Sequence, residues 1–150
     1  MCEGPSSRLI CRPPGQTAQR GVLLPSRAIR TPLSAPLTPA PEQQSRDIFF
    51  TGIGHFEAGR LNEARECFER CLALTPGRPS VLGNLGVTLF RLGHTREALP
   101  LLQQATAGEP GFGDAWAGLG LAHEAHGDWA AAVQALTKAL AIAANLLLSA

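Results

Sequence analysis

From Ser45 onward the apolar residues return every three or four positions, the period of a helix that buries one face, and nowhere does the alternation of a strand persist. The pattern also repeats against itself at an offset of 34 residues. Gly52, Gly86 and Gly120 fall in one column, and Gly59, Gly93 and Gly127 in a second. Ala64, Ala98 and Ala132 form a third, Phe68, Leu102 and Leu136 a fourth, and Cys71, Ala105 and Ala139 a fifth. Pro76 and Pro110 match as well, with Ala144 where a third proline is due.

Each copy reads as two helices joined at the second glycine column, because a residue in the left-handed conformation ends a helix at least cost when it is glycine. First helices are predicted over Arg46–Ala58, Ser80–Leu92 and Asp114–His126. Second helices are expected to start near Asn62, Thr95 and Asp128, all residue types that cap an N-terminus, and two should stop before Pro76 and Pro110. The glycines at 52, 86 and 120 let the two helices of a hairpin touch, with the alanine column facing them, and the large column should fill the space between hairpins. Pro100, early in its helix, should bend it without breaking it. No such hairpin buries its apolar face alone, so three must stack. The expected fold is all-α, a right-handed superhelix of repeats 45–78, 79–112 and 113–146 within a domain of residues 45–150.

Residues 1–44 have a different texture, with eight prolines, no aromatic residue and no period. Proline removes a donor and biases its predecessor away from the helix, so a disordered arm is expected. Its five arginines against two glutamates also fit an organelle-targeting segment, although the prolines oppose the amphipathic helix such a segment forms. A cytoplasmic location is the simpler expectation.

Charge and chemistry exclude several functions. A single lysine and a net charge of +1 make nucleic acid an improbable partner. No run of some 18 consecutive apolar residues marks a membrane span, so membrane association is not expected. Cys67 and Cys71 lie four apart on one helix face, but a structural zinc site needs four ligands and no second pair completes it; with Cys2 and Cys11, they suit a reducing compartment. His123 and His126 are three apart, one short of the spacing of a zinc-protease helix. No phosphate-binding glycine loop or strained nucleophile turn occurs. Neither enzyme activity, a cofactor nor a metal is expected.

The columns identify the chain as resembling the tetratricopeptide repeat, through Trp116, Leu119, Gly120, Ala132 and Ala139 in the third copy, Leu85, Gly86, Ala98, Ala105 and Pro110 in the second, and Gly52, Ala64, Phe68 and Pro76 in the first. It departs from that pattern at His55, Leu89 and His123, where tyrosine is usual, and at Thr51 and Ala144. The resemblance implies a scaffold that binds a peptide or protein segment in a concave groove lined by the first helices. Candidate groove residues are Phe49, Ile53, Phe56, Asn84, Val87, Phe90, Arg91, Leu121 and Glu124, several of them large and apolar. Phe49 and Phe56 could equally be core. Some members grip a C-terminal carboxylate with a basic and amide clamp. Of that clamp only Asn84 matches, since Phe49, Ile53, Asp114 and Gly118 occupy the other places, so a ligand with apolar side chains is expected instead.

The stretch Trp129–Ala150 carries one charge after Asp128, at Lys138, and lacks the polar face that usually caps such an array. Two expectations follow: self-association through this helix, or, by resemblance to bacterial proteins, a module truncated from a larger enzyme of methyltransferase or glycosyltransferase type; a third, attachment to a membrane through this apolar end, is weaker because alanines dominate it.

Overall fold

A computed structural model describes residues 38–149; the proline-rich segment, its targeting reading, Cys2 and Cys11 lie outside the described residues. The described residues contain six helices and no strand. In chain order these are α1 (Pro41–Glu57), α2 (Leu61–Leu74), α3 (Pro79–Arg91), α4 (Thr95–Gly108), α5 (Gly113–His126) and α6 (Trp129–Ser149). They pair as hairpins α1–α2, α3–α4 and α5–α6, and successive hairpins stack through α2 on α3, α4 on α5 and α3 on α5. The result is the right-handed helical superhelix that the 34-residue columns predict.

Each hairpin turns at its glycine. Gly59, Gly93 and Gly127 have φ of 81°, 93° and 92°, and the amide of the residue after each donates back to the carbonyl of His55, Leu89 or His123 at 2.8–2.9 Å. This closes the end of each first helix by satisfying a carbonyl that the helix leaves open.

Within a hairpin the helices meet at the other glycine column. A Cβ on Gly86 would lie 2.6 Å from Leu102 Cγ and 3.4 Å from the Ala98 carbonyl oxygen. One on Gly120 would lie 2.6 Å from Leu136 Cγ and 3.3 Å from the Ala132 oxygen, and one on Gly52 2.8 Å from Phe68 Cε1. The large column therefore seats on the glycine of its own hairpin, rather than only filling the space between hairpins. Leu102 also reaches onward to Gly118 of the next hairpin. Phe68 and Leu102 are fully buried as a result, whereas Leu136, in the third hairpin, is half-buried. Burying one such side chain is worth about 1.5–3 kcal/mol.

The element ends differ from the sequence expectation in three places. Helix α1 starts at Pro41, five residues before Arg46, because proline fits the first turn, where its missing donor costs nothing. Neither Asn62 nor Thr95 caps a helix: the N-cap residues of α2 and α4 are Arg60 and His94, neither making a side-chain cap bond. Asp128 does accept from the Ala131 amide, at 3.4 Å. Helix α6 runs to Ser149, past the expected end of the repeat at 146, and its 21 residues are long and apolar enough to cross a membrane by length and composition alone. No long run of consecutive apolar residues marks it, because isolated polar residues such as Gln134 and Asn145 interrupt a helix that is apolar on average. Pro100 lies within an unbroken α4.

The glycine contacts predict two opposite outcomes. Gly86→Ala should lower stability by about 1–3 kcal/mol, because the fully buried Leu102 has nowhere to move. Gly54→Ala, in the same family of helices but with nothing within 4 Å, should raise it by about 0.5–1 kcal/mol. Urea unfolding followed by circular dichroism measures both.

Candidate peptide-binding groove

The first helices expose one continuous face. Phe56 of α1, Asn84, Val87, Phe90 and Arg91 of α3, and Leu121 of α5 line a single depression of about 480 Å³. These are six of the nine residues singled out from the sequence. The depression stays open because its floor is small: Gly83, Ala117 and Gly118 also line it, and a Cβ at Gly118 would come within 2.8 Å of Val87 Cγ2.

Three expected residues stand apart. Phe49 is half-buried against Phe68, ring centroids 5.8 Å apart, so the core reading holds for it; it and Ile53 pack on the hydrophobic core one repeat too early to line the depression. Glu124 is exposed but not part of its lining. Phe56, in contrast, both packs on the core and lines the depression.

Besides the small floor residues, two lining residues lie outside the candidate set. Phe112 precedes α5 and lays its ring on Gly83, where a Cβ would meet Phe112 Cε2 at 2.5 Å. The available signal was Gly83 and Ala117 themselves, small residues 34 apart outside the packing columns. The second is Asp114, in the first turn of α5, which puts a carboxylate at one end of the depression. Arg91, in the last turn of α3, stands at the other end with its guanidinium carbon 4.7 Å from the centre of the Phe56 ring. Stacking on an aromatic face holds that group in place while leaving its N–H edges free for a ligand.

Two further side chains already have internal roles. Asn84 donates its amide to the Ser80 carbonyl at 2.8 Å. Trp116 sends its indole N–H to the Pro110 carbonyl at 2.9 Å, fixing the loop that carries Phe112, and its ring lies under the Lys138 ammonium at 4.5 Å.

The candidate metal and catalytic residues do not converge. Among the described residues no three His, Cys, Asp or Glu side chains are grouped to hold a metal ion. Cys71 is fully buried, and its thiol donates to the Ser45 carbonyl at 3.2 Å. His123 is largely buried with its Nδ1 3.7 Å from Asp128, too long for a hydrogen bond, while His126 is exposed.

Two tetratricopeptide-repeat families match the chain, one over residues 51–108 and one over 84–146. The chain is a tetratricopeptide-repeat protein. It is 33% identical over 87 residues to human tetratricopeptide repeat protein 7A, which covers 58% of the chain and 10% of that relative. It is 29% identical over 103 residues to the anaphase-promoting complex subunit cut9 of Schizosaccharomyces pombe, covering 64% of the chain and 15% of cut9. The chain thus spans a small part of both relatives. Among solved structures, the second repeat domain of Spaghetti (RPAP3) bound to the HSP90 peptide SRMEEVD superposes with a TM-score of 0.64 at 23% identity, over 70% of this chain and 99% of that one. At that identity the likeness establishes the fold.

The thiol packing inside this tetratricopeptide-repeat protein has a pH consequence. Burial pushes the Cys71 thiol above its ordinary range. The unfolded chain therefore ionises this cysteine first, so stability present at neutral pH should fall as pH rises past the ordinary thiol value of about 8.5. Urea midpoints of the native chain at neutral and alkaline pH should differ by more than those of a Cys71→Ala variant.

Proposed function

We propose that this chain is a protein-interaction module that holds an extended peptide or protein segment, with apolar side chains, in the depression lined by α1, α3 and α5. One observation carries the reading: Phe56, Val87, Phe90 and Leu121 come from three helices yet line one open apolar cavity. Partly exposed apolar side chains gathered into one concavity are what a binding site requires.

The electrical pattern refines the ligand. From Asn84 to Arg91, or from Asp114 to Leu121, the helices advance about 10 Å, so the depression accommodates roughly three residues of extended chain. Arg91 is the basic residue lining it and Asp114 the acidic one. That balance suits a segment with an acidic residue toward Arg91 and apolar residues in the middle. It does not suit a free carboxylate at the Asp114 end, where like charges repel. The peptide seen on the Spaghetti domain supports a peptide ligand in general, whereas the side chains here differ from a carboxylate clamp. No residue set in the described part of the chain supports a catalytic reading, and the function proposed is binding without chemistry.

Leu121 is the clean probe, since it is exposed, whereas Phe56 and Phe90 also pack on the core. Peptides selected from a random library on the intact chain should lose about ten-fold or more in affinity on Leu121→Glu, the order expected from losing one buried leucine. The thermal midpoint should be unchanged. Amidating the peptide C-terminus should not alter affinity. Undiminished binding to the folded Leu121→Glu variant, or loss on amidation, would contradict the reading.

A further inference from the structure

The two charges that line the groove are both exposed, and neither is neutralised from within the fold. Among the described residues the oppositely charged contacts within 4.0 Å are Arg65–Glu69, His94–Glu97 and His123–Asp128, so Arg91 and Asp114 each lack such a partner. Glu124 stands toward the same end of α5 as Arg91 does of α3, yet it neither lines the depression nor pairs with Arg91. Arg91 instead rests on the Phe56 ring, a contact that holds the guanidinium and leaves its charge in place. At the other end, Glu109 is exposed and lines a neighbouring depression together with Asp114, so that end carries two carboxylates.

The register between α3 and α5 sets the distance between these charges. A Cβ on Gly83 would meet Phe112 at 2.5 Å and one on Gly118 would meet Val87 at 2.8 Å, so the two helices advance in the same sense. Asp114, one turn before Gly118, is therefore level with Gly83 and Asn84. Arg91 lies two turns farther along, about 10 Å by helical rise, and packed helices stand about 8–10 Å apart. Together these give a separation of about 13–14 Å, the span of four steps of extended chain at about 3.3 Å each. Side chains of an extended segment alternate in direction, so residues i, i+2 and i+4 face the groove together. The middle one lies over the small floor of Gly83, Ala117 and Gly118, with Phe90 and Leu121 beside it, where an apolar side chain fits.

We propose that the groove reads a pair of opposite charges four residues apart: an acidic side chain on Arg91 and a basic one on Asp114, flanking an apolar residue midway between them. The proposal rests on the peptide-binding reading of the groove and adds to it the basic residue, the spacing and the polarity. Charge complementarity selects this occupant over its neighbours. A segment with two acids meets repulsion at Asp114 and Glu109, and one with two bases meets it at Arg91. A wholly apolar segment takes water from both charges and returns no partner to either. Exposed ion pairs are weak, so each charge changes affinity about three- to five-fold, while the apolar residue supplies the larger part. What the charges supply is direction. Because they come from different helices at opposite ends of the depression, the same pair in reverse order requires the bound chain to run the other way.

Acetylated and amidated peptides selected from a random library on the full 150-residue chain, and kept only where Leu121→Glu abolishes binding, provide the test. They should carry an acid and a base four apart around an apolar residue, in one order. Selection on the Arg91→Glu, Asp114→Arg double variant should return the same spacing in the opposite order. Replacing the peptide's base with glutamine should weaken binding about three- to five-fold on the parent chain and leave it unchanged on Asp114→Asn. That difference should vanish in about 1 M salt, where charges are screened within a few ångströms. Both side chains are exposed, so the helical spectrum should be retained, and Asp114→Asn, nearest in shape, carries the test if the double variant unfolds. Groove-binding peptides without such a pair, an order that the double variant does not invert, or a glutamine loss that persists on Asp114→Asn would overturn the proposal and leave the groove itself standing. A library that yields no peptide sensitive to Leu121→Glu would overturn both.

Discussion

Everything in this solenoid depends on a glycine in each first helix meeting one large side chain from the second. Gly52 against Phe68, Gly86 against Leu102 and Gly120 against Leu136 bring paired helices to a distance that no Cβ would allow. With the helices that close, the large side chain cannot lie between them. It is held over the glycine, and in the middle repeat it reaches on to Gly118, so one residue both closes a hairpin and stacks the next. A loss at this point costs both levels of structure at once, which is how a linear array whose elements touch only their neighbours keeps a single core.

The same contact decides which surface the first helices leave open. Because the second helices spend their large residues on the glycines, the first helices are free to turn Val87, Phe90, Leu121 and Phe56 into the depression, with small residues Gly83, Ala117 and Gly118 beneath them. The two charges at its ends come from helix termini, Arg91 in the last turn of α3 and Asp114 in the first turn of α5, where each also suits the local helix dipole. In the third hairpin the same interlock leaves Leu136 half-buried. Helix α6 keeps the repeat columns at Ala132, Leu136 and Ala139 and then runs on to Ser149.

The fold was legible in the sequence because the constraint is local and repeated: five columns at a fixed offset define hairpins, turns and stacking together. The turn glycines are the plainest case, since a left-handed backbone restricts residue type directly. Helix starts were less legible. Pro41 reads as a disorder signal within a proline-rich stretch, and Asn62 and Thr95 look like caps, but α2 and α4 begin at Arg60 and His94 because the tight turn fixes the backbone there without side-chain help. Six of the nine candidate residues chosen from the repeat alignment line one depression. Phe49 is in phase with the candidate groove positions by counting but lies against Phe68. Phe112 belongs to a loop, and no periodicity reaches loops.

The most direct test of this account is a map of amide shifts in a nuclear magnetic resonance titration of the full chain with a selected apolar peptide. The account predicts that the shifts cluster on α1, α3 and α5, centred on Asn84, Val87, Phe90, Gly118 and Leu121, and leave α2 and α4 unmoved. Shifts centred instead on α2, α4 or the exposed face of α6 would contradict it, because the binding surface would then lie on the side the glycine contacts turn away from the groove.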